Sequence, residues 1–84
     1  MEKFQFSGMG LKFLRIIHGY EAKDFAARLG VSNSLVSIIE AGTHKMSTRD
    51  TRNTLELFGM TEAQAIQFIE IIETVKGGRD NGGK

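Results

Sequence analysis

The sequence predicts one all-α domain of five helices. Three observations carry that expectation. From Met9 to Lys76, apolar residues recur at three- and four-residue spacing, the period of a helix with one buried face. The runs end on Gly19, Gly30, Gly42 and Gly59, and Ser32, Ser47 and Thr61 stand where new helices would be capped. The chain has 84 residues and no cysteine, so it can build one core and not two, by apolar packing alone or with a partner chain.

Residues 1–8 read as a flexible amino-terminal arm. Phe4 and Phe6 alternate with polar residues, and one or both are expected to cap the core from outside. Ser7 is a candidate cap for the first helix, Met9 to about His18, whose apolar positions include Leu11, Leu14 and Ile17. Arg15 stands within that apolar set. Such an arginine is either a solvated stem or half of a specific ion pair.

The second helix spans about Ala22 to Leu29, with Phe25, Ala26 and Leu29 in one stripe. Gly30 caps it, Val31 enters the core, and Ser32 caps a third helix from Asn33 to about Ala41. So short a connection forces a sharp bend, so the pair reads as a helix-turn-helix. Val36, Ile39 and Leu35 face inward. Asn33, Ser34 and Ser37 share the polar side, with Ile38 nearer the surface. Glu40 sits near the carboxyl end, where the helix dipole disfavours it, and Arg15 is its candidate partner.

The loop Thr43–Ser47 has positive character. A fourth helix follows from Ser47 or Thr48 to Phe58, with Thr51, Leu55 and Phe58 inward and Ser47 and Asp50 as a capping-box variant. Thr61 and Gln64 open the fifth helix, expected over 61–76. Its line of Ile66, Ile69 and Ile72 can close the core. A second apolar line of Phe68, Ile71 and Val75, with Ile72 at its edge, is surplus and is the expected dimer interface. Residues 77–84 carry no apolar side chain and are expected to be a disordered tail.

The formal charge is +1, which gives no strong basic signature, although Glu62, Glu70 and Glu73 concentrate acid on the fifth helix. Lys12, Lys23, Arg28, Lys45, Arg49 and Arg52 remain for a face that contacts a nucleic-acid backbone. No apolar run suits a membrane span and no signal peptide is visible, so a cytoplasmic, nucleoid-associated location is expected. His18 and His44 form no ligand cluster and no nucleophile has an evident base. Neither metal, cofactor nor enzymatic activity is expected.

The run Phe25-Ala26-Ala27-Arg28-Leu29-Gly30-Val31-Ser32, then Val36-Ser37, then Ile39-Glu40-Ala41-Gly42, resembles the lambda-repressor-like, or xenobiotic-response-element (Cro/CI-type), helix-turn-helix family. The likeness covers about Leu11 to Met60. It implies an ion pair between Arg15 and Glu40, whose disruption would cost about 3–5 kcal/mol if deeply buried. It also implies that the third helix enters the major groove, with Asn33, Ser34, Ser37 and Ile38 reading bases. Ser32, Lys23, Lys45 and Arg49 would contact phosphate. The chain departs from the family pattern at Ala22, where a Gln is common. It also lacks proline in the loop after Gly42, and it has one extra residue before Phe58.

These readings converge on a sequence-specific double-stranded-DNA-binding transcriptional regulator of the repressor type. It would bind a two-fold operator as a homodimer, with half-sites about 34 Å apart. Small members of the family include phage repressors, plasmid regulators and antitoxins. The alternative is a protein-interaction module on the same fold, such as an antitoxin or phage-encoded modulator, with a protein partner and weak or no DNA binding.

Overall fold

The computed structural model describes residues 3–82, with side chains through residue 75. Among the described residues the regular structure is entirely helical: α1 (Met9–Ile17), α2 (Ala22–Leu29), α3 (Asn33–Glu40), α4 (Thr48–Phe58) and α5 (Glu62–Gly82). One device ends each of the first four. At the close of α2 the Gly30 N–H donates to Ala27 O and the Val31 N–H to Ala26 O, and Gly30 takes φ 73°. The same paired bonds recur at Gly19, Gly42 and Gly59. This Schellman geometry satisfies the last helical carbonyls and needs a left-handed residue, which glycine supplies without a Cβ clash.

The starts of α3, α4 and α5 are set by side chains, whereas α2 begins at Glu21 with no side-chain cap. The Ser32 and Ser47 hydroxyls accept from the N–H groups of Leu35 and Asp50, both at 3.0 Å. At α5 the capping box closes from both sides. The Gln64 N–H donates to Thr61 Oγ1 and the Thr61 N–H to Gln64 Oε1. The start of α1 differs from the sequence expectation: its cap is Gly8, with no side-chain bond, and Ser7 Oγ instead donates to His44 O.

All five helices feed one core. Leu11 and Leu14 come from α1, Phe25, Ala26 and Leu29 from α2, Val36 and Ile39 from α3, Phe58 from α4 and Ala65 from α5. The Phe25 and Phe58 rings lie 5.6 Å apart and nearly parallel. His18 covers the other side of Phe58 at 4.4 Å, held by its Nδ1–H donating to Leu14 O. At Gly10 the backbone of α1 receives the Ile69 side chain of α5: a Cβ there would stand 2.5 Å from Ile69 Cγ1.

Three features depart from the sequence expectations. Residues 4–8 are tied down where a flexible arm is expected, and Phe6 is wholly buried in the core. The reason is tertiary: the arm finds backbone partners on α3 and the α3–α4 loop, and the Thr51 hydroxyl on α4. Met46, in a loop read only for its charge, is buried against Thr54, whose hydroxyl donates to its sulfur at 3.4 Å. On α5, Phe68 packs against the core cluster instead of belonging wholly to an outer face, because the open side of α1 needs cover at that level. The backbone of α5 continues past Lys76 to Gly82. Part of the expected disordered tail is therefore helical, and residues 83–84 lie outside the described residues.

Candidate functional site

The surface of α3 is built by division of labour within eight residues. Val36 and Ile39 are buried and Leu35 is half-buried, which anchors one side. Asn33, Ser34 and Ser37 are exposed on the other, and Ile38 is 42 % exposed beside them. Ser32 is exposed too. Its oxygen accepts from Leu35, which leaves its hydroxyl proton free to donate outward. The outer face thus presents short donors and acceptors on a helix that cannot roll without exposing Val36.

The far end of α3 is held by charge. Arg15 donates from Nε to Glu40 Oε2 at 2.7 Å and from Nη2 to Glu40 Oε1 at 3.1 Å, a two-pronged fork. Its Nη1 donates to Tyr20 O at 2.8 Å. Both side chains are about one-tenth exposed. The last turn of α3 carries no basic residue of its own, so the guanidinium also supplies the positive charge that the carbonyl end of the helix favours. One residue therefore locks α1, the α1–α2 turn and the end of α3 together.

The cations expected to contact phosphate are distributed unevenly. Lys45 is exposed on the loop that folds back over the end of α3, where the Gly42 and Thr43 N–H groups donate to Ile39 O and Ile38 O. Lys23 is exposed on the first turn of α2. Ser32 and Asn33 thus mark the start of α3, an eight-residue helix about 12 Å long, and Lys45 stands on the loop beyond its end. Arg49 is exposed, but its Nε lies 3.4 Å from Asp50 Oδ1, an oxygen that is buried and has no hydrogen-bond donor. That carboxylate offsets part of the Arg49 charge, and no spacing in the sequence signals the pairing. Arg28 rests over the Tyr20 ring at 5.7 Å.

An apolar groove runs between α1 and α5. Ile17 and Ile71 stand on its rim, with Leu14, Met60 and Phe68 below. Ile17 and Ile71 are both more than half exposed, as are Ile16 on α1 and Val75 on α5. Ile72 is half-buried. Of the interface residues expected from sequence, Ile71 and Val75 are therefore open, whereas Phe68 and Ile72 are partly covered. Ile17 extends the patch onto α1, a contribution that the helical period of α1 alone did not separate from its core face.

Among the described residues no group of acidic, histidine or cysteine side chains gathers into a metal site, and no helix is long and apolar enough to cross a membrane. Comparison with protein-family models, with curated proteins and with solved structures yields no match.

Proposed function

We propose that this chain is a sequence-specific double-stranded-DNA-binding regulator, a helix-turn-helix domain of the lambda-repressor-like kind with α3 as its reading helix. The observation that carries this reading is the outer face of α3. Exposed Asn33, Ser34 and Ser37 stand on a helix fixed from behind by Val36 and Ile39 and from its end by Arg15. A helix of this width fits the major groove, where Asn pairs with adenine N6 and N7 and Ser with several base edges. Rigidity before contact lowers the ordering cost of binding. Ser32 at the helix start and Lys45 beyond its end fit phosphates on either side of the groove. Lys23 adds a third contact, and Arg49 a weaker one because of Asp50.

The apolar patch of Ile17, Ile71 and Val75 supports a homodimer, since monomers seldom leave contiguous apolar surface of this kind open. Two copies would present two reading helices to a two-fold operator. Such a regulator works in the cytoplasm, on the nucleoid.

Exposed Ile38 favours a second reading, a protein-interaction module, because an apolar side chain at the centre of the face suits a protein partner as well as a thymine methyl. Selection from a randomised duplex library separates the two. The DNA reading expects enriched palindromic sites and affinity that falls steeply with salt. Enrichment of nothing, with no duplex affinity at low salt, would overturn it.

A further inference from the structure

The amino-terminal segment grips the entire connection from α3 to α4. Moving along it, the Gly8 N–H donates to Ile39 O at 2.7 Å, and Gly42 lies close enough that a Cβ there would stand 3.9 Å from Gly8 Cα. Ser7 Oγ donates to His44 O. The Met46 N–H donates to Phe6 O at 2.8 Å, while Gln5 Nε2 donates back to Met46 O at 2.9 Å. The Phe6 N–H reaches Thr51 Oγ1 on α4. Phe6 and Met46, both buried, pin the two strands of chain from beneath.

The connection needs such support. The chain contains no proline, and between the Gly42 turn and the Ser47 cap the connection makes few bonds within itself. Its order comes from residues about forty positions away. On that same connection stand Lys45 and, just beyond the cap, Arg49.

We infer that residues 4–8 are a strap that fixes the α3–α4 loop in the position from which Lys45 contacts the DNA backbone. The strap itself brings no cation between Phe4 and Gly8, so it acts through the loop. This inference rests on the DNA reading above. It makes Gln5 and Ser7 positioning residues: both bond loop carbonyls with side chains that are not core. Releasing them frees the loop, and each encounter with a phosphate must then pay the ordering cost again.

The test uses the full chain with Gln5→Ala and Ser7→Ala together, which leaves the buried Phe6 in place. Circular dichroism checks that the helices persist. Titration against random and selected duplexes at several salt concentrations then compares the parent, the double variant, Lys45→Ala and all three changes combined. The strap variant is expected to bind every duplex several-fold more weakly, with an unchanged ratio between selected and random sites. Its salt slope should fall by about one, the signature of one lost phosphate contact. Lys45→Ala should cost much less in the strap variant than in the parent, because its contact is already loosened.

Parent-like affinity and slope in the strap variant, or a Lys45→Ala effect of full size in both backgrounds, would overturn the inference. Failure of the DNA reading is distinguishable. If the parent binds no duplex, amide exchange at Lys45 and Met46 reads the strap alone. Faster exchange in the variant supports a loop held by the strap, and equal exchange removes it.

Discussion

Replacing Glu40 with alanine tests the brace at the end of α3. The change removes both acceptors of the Arg15 fork and leaves a guanidinium that is only about one-tenth exposed. A buried charge stripped of its partner costs about 3–5 kcal/mol. Two features place this case at the lower end. Arg15 keeps its bond to Tyr20 O at 2.8 Å, and the residual exposure lets water approach. A loss of about 3 kcal/mol corresponds to a drop in Tm of about 12–24 °C for a domain of this size. Arg15→Lys keeps the charge but has no planar fork, so it cannot span both carboxylate oxygens and the Tyr20 carbonyl at once. It should fall between parent and Glu40→Ala. The paired change Arg15→Met with Glu40→Leu should return to within about 1 kcal/mol of the parent, because no orphaned charge remains. Urea and thermal unfolding of the four proteins, at low and high salt, complete the comparison. A Glu40→Ala cost below about 1 kcal/mol, with the strong salt dependence of a surface pair, would refute the argument.

Three further expectations bear on other parts of the molecule. Gly10→Ala should destabilise by about 1–2 kcal/mol, since overpacking outweighs the gain in helix propensity; the new Cβ meets the β-branched Ile69, and an unfolding midpoint at or above the parent's would mean that α1 and α5 separate freely. Asn33→Ala should leave the unfolding free energy within about 0.5 kcal/mol of the parent's, as an exposed site, and lower the affinity ratio between selected and random duplex; an unchanged ratio at fixed salt removes Asn33 from the reading set. Ile71→Glu should shift sedimentation toward monomer without loss of helix content, because Ile71 is more than half exposed, and identical sedimentation of variant and parent would place any dimer elsewhere.

What the sequence discloses depends on how far apart the interacting residues lie. Most helix ends were legible because they depend on local chemistry: a glycine after the last turn of α1 to α4, and a Ser or Thr before the first turn of α3, α4 and α5. Arg15 and Glu40 were legible for another reason, each being a charge in a place that local rules disfavour. The strap was not legible beyond the alternation of Phe4 and Phe6. Its bonds to Met46 and Thr51 join segments about forty residues apart, and backbone pairing of that kind leaves no period. Met46 was hidden because a methionine in a polar loop gives no sign of what covers it. The surplus of apolar residues on α5 was visible, but not which of them the core would claim. That depends on the position of α1, which meets α5 at Gly10. The Arg49–Asp50 contact joins adjacent residues, whose side chains ordinarily diverge on a helix.

The burial of Met46 has a chemical consequence. Peroxide converts an accessible thioether to a sulfoxide, a polar group that no longer suits an apolar site. Met46 is 1 % exposed, so the folded chain shields its sulfur and only an opening of the core admits the oxidant. Oxidation at Met46 would also replace the contact from Thr54 with a group too polar for its surroundings, so that an opening once oxidised would resist reclosure.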